Sequence, residues 1–491
     1  MITETERLTQ IIKNNAPMSI KEIILDYVEK WLNSDEYMEM LTSQRYYNAK
    51  HDILNKTRKI INEYGELSRL SNVSNNKLVH PFYRDLVDQK IQYILGKPFS
   101  FKIQDNVRDE NKKKFDELES FFDNDVRDVI RLIAKEAMIK GIGWIYFHYD
   151  SQGEICLDVI PSENLIPIWS DSRKRKLDGM IRILDIDYYQ SKTKVIKTLI
   201  EYWSNEGKSI FEYRRDIAQP DRKLEVINYS SHDFTIDDQP QKWGRIPFVP
   251  VKYNDEEMPM LNYVKPLIDY IDTLMSDTAD IVKDSPDSIL VVKNYDGQDL
   301  GHFRRNLASY RTVKVSGDGG LEQLTIPVDT QAAQFLLEST RSDIFTHGRG
   351  VDTQKIVTSN VSEKTLRHAY TQMDLDASSL ENQLNKSLKD LLFFVGQAIG
   401  EDFKNENIQI IFNKDILITE DAAIEMCLKN SGLLSKQTVL ANNPWVDNVE
   451  KELEHIEQEK MRDDENQLNM MINSIGRAGN INGKNEDSST R

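Results

Sequence analysis

A chain of 491 residues, 39% hydrophobic and 29% charged, is long enough for several cores and too apolar for general disorder. Its formal net charge of −17 excludes a surface that grips a phosphate backbone as a whole, though not local basic patches or a DNA-repelling channel. Two distant cysteines, Cys156 and Cys427, form neither a disulfide framework nor a zinc site, and no signal peptide or bilayer-spanning apolar run is present, so the chain reads as made and used in a cytosol, or packaged from one.

The first element is a helix near 19–33, where Ser19 and Glu22 have capping-box spacing ahead of an apolar face that includes Ile23, Ile24, Val28 and Trp31. A polar stretch follows, and 77–96 reads as a second helix, stopped by Gly96 and Pro98. A third helix spans about 125–140 and ends at Gly141. The period then changes. Segments 142–149, 155–160, 179–188, 194–203 and 209–213 are rich in β-branched and aromatic residues and read as an antiparallel sheet, with the basic run Arg173–Lys176 as a hairpin tip.

Helical spacing returns from Leu261 to Val282 and includes Ile271 and Leu274; Asp284-Ser285-Pro286 ends it. A compact α/β insert follows at about 287–328, with strand-like pieces at 288–293 and 311–315 and a glycine-rich turn at 317–320. A second helix at 330–346 carries Ala333, Leu336, Leu337, Thr340 and Ile344 on one face. Residues 347–360 form a polar loop without apolar period, in which Gly348 and Gly350 supply freedom to flex. The longest helix, about 362–396, has the stripe Leu366, Tyr370, Met373, Ala377, Leu380, Leu384, Leu388, Leu391, Val395 and Ala398. A strand at 408–412, helices at 420–429, 435–440 and 444–461, and a polar tail complete the chain. The fold class is α+β.

Catalytic signatures are absent. Gly141-Ile142-Gly143 precedes a strand, so it fails as a dinucleotide loop, and His347-Gly348-Arg349-Gly350 lacks the Gly-Lys-Ser/Thr of a phosphate loop. Asp185 and Asp187 share a strand face that suits a divalent metal less well than water. Glu256 and Glu257 read as solvated loop acids. No catalytic residue, cofactor or metal is expected. The readings left for comparison are a nucleic-acid-processing enzyme of a mobile element, which would need Asp185 and Asp187, and a monomeric cytosolic adaptor.

Five segments together resemble one family. Asn76-Lys77-Leu78-Val79-His80-Pro81-Phe82-Tyr83-Arg84, followed by Leu86-Val87-Asp88-Gln89-Lys90 and Tyr93-Ile94-Leu95-Gly96-Lys97-Pro98, is similar to the N-terminal part of phage portal proteins from siphophages of Gram-positive hosts. So are Ala137–Tyr149 with Lys140-Gly141 and Gly143-Trp144, and Pro161 with Ile166-Pro167-Ile168-Trp169. Gly244-Arg245-Ile246-Pro247-Phe248-Val249-Pro250 matches the approach to the first stem helix.

The resemblance implies a portal-type fold. Residues 1–260 and 361–417 would form the wing, 261–283 and 330–346 the two stem helices, and 284–329 the clip. Residues 347–360 would be the tunnel loop, 418–472 the crown and 473–491 a disordered tail. It implies a homo-oligomeric ring, twelve subunits as a rule, at a capsid vertex of the virion, assembled in host cytoplasm. Double-stranded DNA would pass through it non-specifically. The implied partners are the terminase large subunit, a head-completion or adaptor protein, and the major capsid and scaffolding proteins, with no membrane. The tunnel position makes Gly348, Arg349, Gly350, Lys355 and Lys283 candidates to face DNA, with Lys293 and Lys314 behind them. Ile271, Leu274, Leu336 and Leu337 are the expected stem-packing residues.

Overall fold

The structure is a computed structural model. It describes residues 19–61, 67–69, 74–103, 117–150, 152–190, 193–205, 207–215, 222–230, 234–236, 239–284, 289–293, 320–324, 330–358, 363–401, 403, 408–413, 428–429, 432, 435–441, 443, 445–446 and 452–462. Two compact units divide at Asp415/Ile416.

The first unit opens with α1 (Ile20–Leu32), where the Ser19/Glu22 capping box is closed from both sides. Ser34 then caps α2 (Asp35–Tyr47) through the Tyr37 amide. The sequence reading left α2 in the polar stretch, because its apolar face is weak. Strands β1 (Lys59–Ile61) and β2 (Leu67–Arg69) pair before α3 (Phe82–Leu95). The expected helix over 77–96 is thus shorter. Residues 76–80 are extended, because Pro81 restricts its predecessor and a later helix, Lys265–Asp284, takes the backbone N–H groups of Asn76, Leu78 and His80.

Strand β3 (Ser100–Ile103) precedes α4 (Asn124–Lys140), which ends at Gly141 with φ 83°. A Cβ there would fall 2.0 Å from the Glu257 carbonyl oxygen, so only glycine permits this approach. Strands β4 (Ile142–Tyr149) and β5 (Ile155–Ile160) follow. Strands β6 (Leu165–Trp169), β7 (Leu177–Gln190), β8 (Thr193–Ser204), β9 (Gly207–Arg215) and β10 (Arg222–Ser230) form an antiparallel sheet ordered β10-β9-β8-β7-β6. The Arg173–Lys176 run is the tip between β6 and β7, as expected. Two short strands, β11 (Phe234–Ile236) and β12 (Gln239–Gln241), pair with each other, and β13 (Phe248–Lys252) joins β4 and β5 in the order β13-β4-β5.

Helix α5 (Lys265–Asp284) leads to the paired strands β14 (Ile289–Lys293) and β15 (Gly320–Leu324) and then to α6 (Thr330–His347). The strand expected at 311–315, the turn at 317–319 and Lys314 lie outside the described residues. Next come α7 (Thr353–Thr358), the 37-residue α8 (Glu363–Ile399) and β16 (Ile408–Ile411), which pairs with β3. At 1.5 Å per residue α8 is about 55 Å long. Its stripe from Tyr370 to Val395 is buried at every expected position, while the Leu366 side chain lies outside the described residues. That stripe packs with the inner faces of α3 and α4, the β13-β4-β5 sheet and the start of α5 in one core.

In the second unit, Ser435 caps a helix at Lys436–Ala441, as its start signal predicts, and another helix spans 452–462. Residues 428–429 are helical as expected, whereas Trp445 and Val446, expected in a helix over 444–461, lie in a turn in which the Val446 N–H reaches the Asn443 carbonyl at 3.1 Å. Cys427, the other residues expected as helix from 420 and the tail lie outside the described residues.

Candidate functional site

The α5–α6 hairpin meets the rest of the first unit at two joints, and the candidate residues cluster at the second. At the first joint, α5 turns Asp272, Ser276 and Asp280 inward, all 2% exposed or less. Positions four apart on a helix recur every ~6 Å, and alternate residues of an extended chain every ~6.6 Å, so the two rows stay nearly in register. Asp280 accepts from the backbone N–H of Asn76 (2.6 Å), Ser276 Oγ from that of Leu78 (3.0 Å) and Asp272 from that of His80 (2.9 Å).

Asp272 also takes the ring Nδ1 of His80 at 2.9 Å and of His51 at 2.6 Å. Burial alone would raise its carboxyl, but donation from His51 and His80 holds it below the usual carboxylate range. His51 is itself buried under the ring of Tyr46, stacked at 4.4 Å. The sequence reading took α5 by its apolar stripe and passed over the polar row. The signal was there: three hydrogen-bonding side chains at i, i+4 and i+8 on a helix otherwise laid against a core.

At the second joint α6 ends in a Schellman motif. The Gly350 N–H reaches the Phe345 carbonyl at 2.8 Å and the Arg349 N–H the Thr346 carbonyl at 3.1 Å. The left-handed residue of this motif is usually glycine, but here it is Arg349, at φ 50°. The two flanking glycines serve contact instead. A Cβ on Gly348 would lie 2.6 Å from Leu86 Cδ1, and one on Gly350 would lie 2.2 Å from Leu86 Cδ2. Leu86, on α3, is fully buried and cannot yield.

The expectation that Gly348 and Gly350 let a loop flex is therefore corrected: their missing side chains let the turn press onto α3. The Gln89 side chain exchanges two hydrogen bonds with the Val351 backbone, at 2.8 and 3.0 Å. Asp352, 7% exposed, takes Arg341 bidentately at 2.8 and 2.9 Å and accepts the Gln354 N–H at the start of α7. Burial pushes the Asp352 carboxyl up, and Arg341 more than reverses this. The expected loop 347–360 thus holds a docked turn and a short helix, with 359–360 outside the described residues.

Arg349 points its half-exposed guanidinium at Asp376 on α8, 3.6 Å away. Asp376 already accepts the buried ammonium of Lys90 and the Tyr253 hydroxyl, the latter at 2.9 Å. Burial works against the charge on Lys90 and lowers its pKa, and Asp376 opposes that shift. These residues line a cavity of about 380 Å³. Lys355 on α7 and Lys283 in the last turn of α5 are exposed and are not brought to Arg349 by any described contact. The Lys293 side chain lies outside the described residues.

Ile271 is fully buried and Leu274 and Leu337 half-buried, whereas Leu336 is 38% exposed within the single chain. Asp185 accepts from Thr198 Oγ1 across the β7–β8 pair at 2.6 Å. Glu257, expected to be solvated, instead binds Lys252 at 2.8 Å and Lys174 at 2.5 Å. Among the described residues no group of three His, Cys, Asp or Glu is placed to hold a metal ion, and no helix is long and apolar enough to cross a membrane.

The family model described as phage portal protein, SPP1 Gp6-like, matches residues 32–466. The chain belongs to that portal family. It is 27% identical over 486 residues to the portal protein of Bacillus phage SPP1, covering 96% of this chain and 94% of the relative. It is 26% identical over 445 residues to that of Clostridium phage phiCD119, covering 86% and 93%. A solved structure titled as the neck of an empty GTA particle, computed with C6 symmetry, aligns with 74% of this chain and 90% of its own, at a TM-score of 0.41 and 10% identity.

The α+β fold and the head–tail connector reading of the sequence stand with the family. The portal motif quoted from Asn76 onward gains a physical role here. Asn76, Leu78 and His80 bind α5, while Leu86, Gln89 and Lys90 receive the turn after α6 and its partner Asp376.

Proposed function

We propose that this portal chain assembles with copies of itself into a ring, twelve subunits as the family rule, that forms the DNA channel at a capsid vertex. α5 and α6 serve as the stem. The segment 284–329 between them is the clip that docks the terminase large subunit and later a head-completion protein. Residues 418–472 form the crown. Assembly takes place in host cytoplasm with capsid and scaffolding proteins, and the chain itself carries no catalysis.

The observation that carries the ring is apolar side chain left in water on the stem: Ile281 is 46% exposed, Val282 59% and Phe335 70%. A single chain does not hide them, and a neighbouring copy would. Leu336, beside Phe335, would be covered in the same step. DNA of any sequence must move without being read or gripped, which suits an acidic subunit with few, separated cations such as Arg349, Lys355 and Lys283.

Electron cryo-microscopy of the purified chain tests this. Symmetric rings of about twelve subunits with a central hole are expected, and Phe335→Asp should shift particles towards single chains without unfolding them. Compact single particles at every salt and protein concentration would reject self-assembly of the free chain.

A further inference from the structure

On the α8 side of the first unit, two cavities of about 550 and 620 Å³ share Arg245 and Asp390 in their linings. Both residues line both spaces, so the cavities adjoin as two lobes with Arg245 and Asp390 between them. The first lobe has Trp169, Phe248 and Phe394 in its wall, and the second Phe393, Phe403 and Leu392. Phe248 and Phe394 are 2% and 3% exposed, so they offer edges to an apolar side chain and no open ring face to a base.

The polar groups at the waist are exposed and make no hydrogen bond to the described residues. Arg245 lies over the Phe393 ring with its carbon 4.0 Å from the centroid, and among the described residues it makes no hydrogen bond or ion pair. Its exposed guanidinium, which also feels the Asp390 carboxylate, presents a donor edge that a carboxylate fork fits. Asp390 likewise has no hydrogen bond. It is exposed on α8 and lines both lobes, and desolvation of its carboxyl raises its pKa against Arg245 and Lys386. Lys176 and Lys389 add cations to the lining, and Lys386 lies one turn from Asp390 on α8. The linings hold the cations Arg175, Lys176, Arg245 and Lys389 against the acids Asp390 and Glu401, a local excess of positive charge in a chain of net charge −17.

We infer that the groove is a docking site for an acidic peptide segment of a partner protein, with apolar side chains in the two lobes, a carboxylate on Arg245 and a peptide N–H given to Asp390. A peptide supplies all three at once. A nucleic-acid strand supplies no apolar side chains for the lobes, and the buried Phe248 and Phe394 offer its bases no open face to stack on. This reading is independent of the ring.

The test begins with a library of randomised linear peptides panned against the purified full-length chain. The enriched peptide is then labelled and titrated by fluorescence anisotropy. Expected are sequences with Asp or Glu next to Leu, Phe or Trp, whose affinity falls with salt. Arg245→Glu should weaken binding by about tenfold or more, and Lys389→Glu by a smaller factor. Both side chains are exposed, so circular dichroism melts should coincide with the parent; if that of Arg245→Glu does not, Lys389→Glu carries the test. The proposal falls if nothing is enriched, if basic peptides win, or if both charge reversals leave binding intact. It also falls if oligothymidylate competes for the same site, or if the enriched sequence matches a segment of this chain, which would make the groove a contact between copies.

Discussion

Along α5 the joint is polar: Asp272, Ser276 and Asp280 offer acceptors, and an extended segment delivers its N–H groups in step. At the end of α6 it is steric: two glycines give up their side chains so that the backbone can sit on Leu86. The first joint demands particular donors and acceptors and fixes register. The second demands small size and fixes distance. A substitution that one absorbs should therefore damage the other, and the largest losses should follow from removing a buried acceptor at the first.

Asp272→Ala leaves the His80 N–H and two imidazole Nδ1 groups without an acceptor in a buried site, and should cost about 3–5 kcal/mol in urea unfolding. Asp272→Asn keeps the shape and should lose less. The folded carboxyl titrates below its unfolded value, so its stabilisation is present above the unfolded pKa of about 4 and is lost as pH falls through the folded value. The gap between the parent and Asp272→Asn should accordingly narrow on acidification below about pH 4. A gap that stays constant would mean that the charge on Asp272 contributes nothing.

At the steric joint the disruptive change is an addition. Gly350→Ala places a methyl against Leu86 and should cost about 2 kcal/mol. Leu86→Ala costs more alone, but in the double variant the two penalties should fall short of their sum, because each relieves the other. Strict additivity would show that Gly350 is needed for something other than its contact with Leu86.

These joints also show what the sequence makes legible. The α8 stripe was readable because burial repeats over many turns, so a few misjudged positions do not matter. The start of α3 was misread because Leu78 and His80 look helical by composition, and only a distant helix claims their N–H groups. Gly348 and Gly350 were visible as glycines, but a glycine that flexes and one that makes room for Leu86 look the same until the neighbour is known. Arg349 was picked out by position and charge; that it occupies the left-handed seat of the motif is a property of the fold. Asp376 and Lys90, which complete its surroundings, lie far from it in sequence, and no local pattern links them.

The two ion pairs at the ends of the turn carry the comparison to a finer scale. Arg341 and Asp352 meet bidentately with the Asp352 side chain largely covered, so Asp352→Asn should cost about 1–2 kcal/mol, read as a lower urea midpoint. No change in midpoint would mean that Gln89 alone holds the turn.

Arg349 is the opposite case. Its pair with Asp376 is long, half-exposed and worth about 0–1 kcal/mol. Asp376 keeps Lys90 and Tyr253 when Arg349 leaves, so no buried charge is stranded. Arg349→Gly loses that small term and relieves about 1 kcal/mol of left-handed strain. The unfolding free energy should move by less than about 1 kcal/mol in either direction, while DNA packaging by assembled particles should fall. A large loss of stability would make Arg349 a structural pin. Unchanged stability with unchanged packaging would leave the strain without a function in DNA contact. Only the split result, a stable chain that packages poorly, fits a side chain held at a cost so that it can exchange Asp376 for a passing phosphate.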